Sequence, residues 1–184
     1  MTVITLVTDP LLSRAKDAVP KILDAIGINR INNFTKEMGI TGALHSEWLK
    51  AFVGNSLYVV KMNNFGELEG FITARDTQEA CLDKCVNKEP LIVTQFCLHP
   101  RDEFDEISMM EMLIEAAVLL GYKQLKTPNE TELMRDFTDR VMMHESFRGI
   151  KVLKSEDEGY DLFDLSEFKT IAMLEAEQKI SQSA

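Results

Sequence analysis

Positive charge and cysteine are both scarce in this chain. Among its 184 residues, 20 are Lys or Arg and 30 are Asp or Glu, so the formal net charge is -10. A surface with this excess of negative charge lacks the field that holds a polyanion, which argues against direct binding of nucleic acid or of an anionic membrane. The 3 cysteines are too few, and odd in number, for a disulfide framework.

Long apolar runs are missing as well. No stretch approaches the roughly 18–20 residues of a membrane helix, and the first residues, MTVITLVTDP, lack the basic region and apolar run of a signal peptide. Together with the low cysteine content, this predicts a cytoplasmic protein. There is no internal repeat, and the 5 prolines and 9 glycines form no linker, so one continuous domain is expected.

The first half of the chain mixes helical and strand periodicity. The turn formers Asn63-Asn64-Phe65-Gly66 separate two strand-like segments, which is typical of a β-hairpin. Asp9 followed by Pro10 favours a helix start, and Pro20 predicts a kink in that helix. The predicted elements are a strand at 2–8, helices at 9–26, 31–38 and 44–52, hairpin strands at 57–62 and 67–74, and a short helix at 76–86.

The second half contains the segment that most resembles a core strand. Residues 91–98, LIVTQFCL, form an almost continuous apolar run between two prolines, which predicts a central strand buried on both faces. Ser108 and Glu111 predict a capping box at the start of an amphipathic helix that ends at Gly121. The remaining predicted elements are a strand at 123–127, a helix at 130–146, a hairpin at 150–165 and a polar helix from 166.

This order of elements predicts a mixed α/β (α+β) domain over residues 1–165, with a polar C-terminal helix or tail at 166–184. From residue 57 to 165 the chain resembles the GNAT (general N-acetyltransferase) superfamily, through LIVTQFCLHP, SMMEMLIEAAVLLGYKQLKTP and the helix and hairpin that follow. The resemblance implies a GNAT-like mixed central sheet flanked by helices. It also implies acetyl-CoA as cofactor, with Phe96, Leu98 and Arg101 as candidate cofactor contacts and Gln95 or His144 as the candidate acid or base.

The sequence departs from the family where the cofactor would bind. The family's turn, Q/R-x-x-G-x-G/A, presents amides and a helix N-terminus to the pyrophosphate, whereas residues 101–107 read RDEFDEI, without glycine and with four carboxylates. Where the family often has a tyrosine that protonates the leaving thiolate, this chain has Met142 and Met143. The departures predict that the cofactor machinery has degenerated or was never present, and that no cofactor is bound.

The negative charge is concentrated in two segments. Residues 101–118 carry a net -5 and residues 155–167 a net -6, which together exceed the charge of the whole chain. Such a face can meet a basic protein partner by complementarity, although acidic residues before a helix are also favoured by its macrodipole and can simply be solvated. The predicted acidic face consists of Asp102, Glu103, Asp105, Glu106, Glu156, Asp157 and Glu158.

Metal binding is not predicted. Cys81, Cys85, Cys97 and His99 offer four conceivable zinc ligands, but their spacing matches no zinc knuckle, and a cysteine in an apolar strand is usually a small core residue. The acidic turn lacks the loop glycine that calcium loops use.

Three hypotheses of function remain. The first is a non-catalytic interaction or assembly protein that binds a protein partner through the acidic face, similar to internal virion or accessory proteins of tailed phages and found in the host cytoplasm or the virion. The alternative is an acetyl-CoA-dependent N-acetyltransferase. The second alternative is an acidic inhibitor that occupies the nucleic-acid-binding site of a partner protein.

Overall fold

The computed structural model describes residues 2–7, 24–53, 55–76, 90–98, 103–129, 132–144, 147, 149–154 and 159–169. Most of the helices predicted at 9–26 and 76–86 falls outside these residues, as do residues 170–184 of the predicted C-terminal helix. Residues 24–26 are helical. No described helix has the length and apolar character needed to cross a membrane.

The described elements follow the predicted order. The helices are α1 (Ile28–Glu37), α2 (Ala43–Val53), α3 (Glu103–Leu119) and α4 (Glu132–Met143). The strands are β1 (Thr2–Val7), β2 (Leu57–Met62), β3 (Leu68–Arg75), β4 (Leu91–Leu98), β5 (Gln124–Pro128), β6 (Lys151–Lys154) and β7 (Tyr160–Asp164).

The strands form one mixed sheet in the order β1-β2-β3-β4-β5-β7-β6. All neighbouring pairs are antiparallel except β4 and β5, which are parallel and are connected through α3. This confirms the predicted GNAT-like mixed sheet, because a parallel pair needs a long crossover connection. It also confirms that β4 lies in the interior of the sheet.

The turn between β2 and β3 is stabilised by hydrogen bonds to its first residue, Asn63. The side-chain Oδ1 of Asn63 accepts hydrogen bonds from the backbone N–H groups of Phe65 and Glu67, each at 2.9 Å. Gly66 has φ +76, a left-handed conformation that glycine adopts without steric penalty. The turn between the two strands therefore lies at the predicted residues, 63–66.

Both faces of the sheet are covered, which explains why every residue of β2 is buried. Leu57 and Val59 pack into the core beneath α3, whereas Tyr58 and Val60 pack into an aromatic core beneath α1 and α2. Two rings in the second core, Phe52 and Phe71, meet edge to face with their centroids 5.1 Å apart. The other aromatic residues of this core are Phe34 and Trp48.

Three details of the prediction were wrong. Helix α3 begins at Glu103 rather than at Ser108, since acidic residues are favoured in a first helical turn and Ile107 already packs on the core. Strand β4 is not buried throughout: Leu91 and Val93 are buried, but 94–97 are half-buried. Residues 166 and 167 form a turn, residues 168 and 169 are not helical, and Phe168 packs into the core beneath α3.

Candidate functional site

Strand β4 contains a β-bulge in the middle of its length. Thr73 of β3 is paired with Gln95, and the next residue, Ala74, is paired with Val93, so Thr94 is an extra residue without a partner in the ladder. A bulge of this kind bends the strand and increases its twist. The direction of β4 therefore changes between Val93 and Gln95.

The bulge lies where β4 parts from β5. The parallel ladder consists of Leu91 with Leu125 and Ile92 with Lys126, although β4 continues to Leu98 and β5 to Pro128. Beyond Ile92 the two strands no longer pair, so the sheet opens between them. We call the end of the sheet at which β4 and β5 finish the open end, and the end at which they begin the closed end.

A cluster of uncharged polar side chains holds the bulge. The Thr73 and Thr94 hydroxyl oxygens are 2.9 Å apart, and the Thr94 hydroxyl also donates to Oδ1 of Asn55. Asn55 is anchored in turn, because its Nδ2 donates to the carbonyl oxygens of Ala51 and Phe52 at 2.8 and 2.9 Å. The bulge is thus tied to the end of α2.

Gln95 borders this cluster as a half-buried amide. Its Oε1 lies 3.5 Å from the Thr73 hydroxyl, at the outer limit of a hydrogen bond. An amide does not take up a proton near neutral pH. Gln95 can therefore orient a bound group by hydrogen bonding, but it cannot act as a general base.

Of the other sequence-predicted catalytic and cofactor residues, Phe96 and Leu98 lie on β4 with Gln95, and His144 lies just beyond α4. Phe96 packs on the core beneath α3, and Leu98 is the last residue of β4, paired with Gly70. His144 is exposed just beyond α4, where its ring meets Phe147 edge to face at 6.1 Å. Arg101 lies outside the described residues. The described contacts bring none of these side chains together with Gln95.

The acidic face is described in part. Glu103 is the first residue of α3, and Asp105 and Glu106 also fall in its first turn, at the open end where β4 has just finished. The remaining predicted members of the face, Asp102 and residues 156–158, lie outside the described residues.

The register of β5, β6 and β7 shows where the second acidic segment begins and ends. Pro128 at the end of β5 is paired with Tyr160 at the start of β7, and Lys154 at the end of β6 is paired with Asp161. The β6–β7 connection therefore leaves and re-enters the sheet at the open end. Asn129 marks the same place: its backbone N–H donates to Gly159 O at 2.8 Å, and its Nδ2 donates to Asp161 Oδ1 at 3.0 Å.

Part of the charge of the second segment lies elsewhere. Asp164 is paired with Gln124, the first residue of β5, so it lies at the closed end. Hydrogen bonds from Ser166 lower the pKa of the Asp164 carboxyl below its usual value. Glu167 forms an ion pair with Lys151 at 2.8 Å. These two acidic residues do not belong to the open end.

Buried hydrogen bonds at the closed end were not predicted from the sequence. The Tyr122 hydroxyl donates to Asp76 Oδ2 at 2.5 Å, and both residues are buried. Burial, and then the bond to Asp76, raises the pKa of Tyr122. The Asp76 backbone N–H donates to Ser56 Oγ at 3.2 Å. The Tyr122–Asp76 bond joins the end of β3 to the start of β5. Its one signal in the sequence is the LLGY phrase that contains Tyr122.

The described cysteine and acidic residues form no metal centre. Cys97 is half-buried, and burial raises the pKa of its thiol. The described residues contain no group of three or more histidine, cysteine, aspartate or glutamate side chains placed to hold a metal ion. Cys81, Cys85 and His99 lie outside the described residues.

Solved structures with a similar arrangement of strands and helices include acetyltransferases of the GNAT family. Tetrahymena GCN5 is 13% identical, over 89% of this chain and 95% of that one, with a TM-score of 0.51. An N-acetyltransferase from Staphylococcus aureus Mu50 is 8% identical over 89% and 95%, with a TM-score of 0.45. The GNAT N-acetyltransferase YhbS from Escherichia coli, solved with CoA, is 8% identical over 89% and 81%, with a TM-score of 0.43.

The overlap with the Tetrahymena protein supports the fold, and at 13% identity it establishes nothing more. The sequence matches no protein-family model and no curated protein. The resemblance seen in the sequence implies acetyl-CoA as cofactor, whose pyrophosphate favours the positive end of a helix. The first turn of α3, which follows β4, carries three acidic residues instead. Negative charge at this position disfavours a pyrophosphate.

Proposed function

We propose that this chain is a GNAT-fold interaction protein that binds a basic protein partner through its acidic face instead of transferring an acetyl group. The observation that carries the proposal is the topology of the open end. The first turn of α3 follows β4, and the β6–β7 connection is attached to β7, two strands away from β4 in the sheet. Both acidic segments thereby leave the sheet at one end.

The separation of the two segments supports a single electrostatic surface. Two strand spacings amount to about 10 Å, which is close to the screening length of about 8 Å at physiological salt. Charges at that distance act jointly on an approaching partner, and such joint fields raise association rates and select partners of opposite charge. A basic protein surface is the class of partner that this charge favours, within an assembly such as a virion or as a separate complex.

A charge-neutralised variant tests the acidic face. In the variant, Glu103→Gln, Asp105→Asn and Glu106→Gln are combined with the matching changes at Glu156, Asp157 and Glu158. The control variant loses charge at exposed acidic residues elsewhere, through Glu37→Gln, Glu47→Gln and Asp139→Asn. Proteins that co-purify with the full-length chain from the cells that make it are quantified by mass spectrometry at low and high salt.

The proposal expects one basic partner that is lost from the neutralised variant and at high salt, but is retained by the control variant. Equal retention by both variants would show that the acidic face is not the contact. The proposal also says that this chain transfers no acetyl group. Calorimetric titration with acetyl-CoA tests that claim, and micromolar binding would contradict it.

An acetyl-CoA-dependent N-acetyltransferase is the second candidate, and the parting of β4 from β5 at the bulge favours it. That slot is independent of the acidic first turn, so the cofactor would be held mainly by backbone groups of the two strands, with Phe96, Leu98 and Arg101 as side-chain contacts. Binding of acetyl-CoA that is lost on Arg101→Glu would support this candidate. His144 would then be the residue to test as acid or base, because Gln95 cannot take up a proton.

A further inference from the structure

The turn between β2 and β3 lies at the open end of the sheet. Gly70, near the start of β3, is paired with Leu98, the last residue of β4, so β3 begins where β4 ends. The turn at 63–66 therefore belongs to the same end as the first turn of α3 and the β6–β7 connection. In the strand order, β4 lies between this turn and the β6–β7 connection.

Phe65 is the most exposed of the large hydrophobic side chains described, at 89%. Single apolar side chains on a surface are common and need no function, but this one is carried by a firmly bonded turn. Gly66 N–H donates to the Asn63 carbonyl oxygen at 3.0 Å, and Asn63 N–H donates to Glu67 O at 2.9 Å. These bonds join the two that the Asn63 side chain accepts. None of them uses the Phe65 side chain, so the turn does not need an aromatic residue.

Arg30 of α1 lies against the same turn. Its Nη1 donates to the carbonyl oxygen of Ile26 at 3.1 Å, and a Cβ added at Gly66 would lie 3.3 Å from its Nη2. On the strands that flank the turn, Met62 and Leu68 are buried in the aromatic core. The turn is thus fixed from two sides, and its exposed aromatic side chain is presented on a backbone that loses little conformational freedom on binding.

We propose that Phe65 is an apolar anchor that inserts into a pocket of the basic protein partner, beside the acidic face. This inference rests on the proposed function, to which it adds a contact that charge does not supply. Aromatic side chains that become buried in a pocket dominate the binding energy of many interfaces, whereas charged groups at the rim mainly guide association.

The dimensions of the open end allow one partner to cover both features. Four strand spacings, or about 19 Å, separate the β2–β3 turn from the β6–β7 connection. A standard interface buries about 800 Å² on each partner, which corresponds to a patch about 30 Å across. Phe65 and both acidic segments therefore fit within a single contact.

Charge selects a basic protein over other occupants. Around the turn, Lys61 is paired with Glu69 at 3.2 Å, and Arg30 and Glu67 add one charge of each sign, so the turn brings no excess charge of its own. The excess lies in the acidic segments, which repel a nucleic acid, an anionic membrane or a second copy of this chain. A protein with basic residues around an apolar pocket complements both parts of the open end.

Photo-crosslinking tests the contact in the cells that make the protein. The full chain carries the aromatic crosslinker p-benzoylphenylalanine at position 65 or, as a control, at position 119, because Leu119 is 72% exposed at the end of α3. An adduct with one basic protein, identified by mass spectrometry, is expected at position 65 and not at position 119. Absence of an adduct at position 65, equal adducts at both positions, or an adduct with a protein that is not basic would overturn the inference.

Rate constants measured with that purified protein separate the anchor from the acidic face. Phe65→Ser should raise the dissociation rate constant about 10-fold or more and leave the association rate constant nearly unchanged. It should also keep the wild-type urea midpoint, because the side chain is exposed. Phe65→Trp should restore slow dissociation, and Leu119→Ser should change neither rate constant. A Phe65→Ser protein that dissociates as slowly as the wild type would contradict the inference.

The proposed function and the anchor fail in different ways. Adducts at position 65 that are equally abundant in the charge-neutralised variant would contradict the acidic face as a contact and leave the Phe65 anchor supported. Co-purification that depends on the acidic face, without an adduct at position 65, would contradict the anchor alone.

Discussion

The two ends of the central sheet differ in how they are closed. At the closed end, hydrogen bonds join β2, β3 and β5 through buried groups: Tyr122 to Asp76, and Asp76 to Ser56. At the open end β4 has left β5, its residues 94–97 are half-buried, and an acidic helix turn follows. Among the described residues, this chain of buried hydrogen bonds between strand ends therefore lies at the closed end.

The difference bears on the proposed function, in which the open end is the binding surface. Side chains that make few buried contacts contribute little to stability, so they can be changed in evolution without unfolding the protein. Under the proposed function, the open end can change what it binds while the core is kept, because the described packing lies in the two helical layers.

The largest expected effect contrasts two residues of the same strand. Leu91 is fully buried at the start of β4, whereas Phe96 is half-buried beyond the bulge. Leu91→Ala should lower the free energy of unfolding by about 3 kcal/mol, since it leaves a cavity in the core. Phe96→Ala should lower it by less, although it removes more atoms.

Urea denaturation of the two variants measures this difference. Leu119→Ala serves as a control, because Leu119 is 72% exposed and its loss should change stability by less than about 0.5 kcal/mol. A larger loss for Phe96→Ala than for Leu91→Ala would mean that the open end is as firmly packed as the closed end.

The sequence predicted the strand but not its break. The apolar run at 91–98 identified β4 because continuous hydrophobicity is typical of an interior strand. The polar residues Thr94 and Gln95 interrupt that run, yet a bulge is defined by the neighbouring strand's register, which no local pattern contains. Likewise, Asp76 and Tyr122 are separated by 46 positions, so their contact follows from the topology.

The prediction of the site was limited in the same way, because local sequence patterns do not contain the register of the sheet. Composition located the excess of negative charge, and the sheet register then separated Asp164 and Glu167 from the open end. Local reasoning placed the start of α3 at Ser108, because a capping box is a local signal. The observed start at Glu103 depends on the packing of Ile107 on the sheet.

The second prediction concerns the buried pair at the closed end. Tyr122→Phe removes the hydroxyl that donates to Asp76 and leaves a buried carboxyl oxygen without this donor. Stability should fall by about 2 kcal/mol, as expected for a hydrogen bond to a buried carboxylate. Tyr160→Phe, at a half-buried residue of the open end, is the matched control, with an expected change below about 0.5 kcal/mol. Equal losses of stability in Tyr122→Phe and Tyr160→Phe would show that the two ends of the sheet do not differ in this respect.

The third prediction uses pH to isolate the same bond. The pKa of Tyr122 is raised in the folded protein, so its contribution is present below the unfolded value of about 10 and is lost as pH rises above it. The difference in stability between wild type and Tyr122→Phe should be constant from about pH 7 to 9 and should shrink above about pH 10. Urea midpoints for both proteins across this range give the measurement. A difference that grows with alkaline pH would contradict the assignment.

The smallest effect is expected at Asp164, which lies at the closed end and accepts a hydrogen bond at the surface. The Ser166 backbone N–H donates to Asp164 Oδ1 at 3.0 Å, and bonds from Ser166 lower the pKa of this carboxyl. A lowered pKa stabilises the fold above the unfolded value of about 4, and this contribution is lost as pH falls below it. Because the carboxyl is exposed to solvent, Asp164→Asn should cost only a few tenths of a kcal/mol at pH 7. Asp139→Asn, on the exposed surface of α4, controls for the lost charge. Urea midpoints should differ between the two variants at neutral pH and approach each other as pH falls below about 4. A gap of unchanged size in acid would mean that Asp164 acts through its shape and not through its charge.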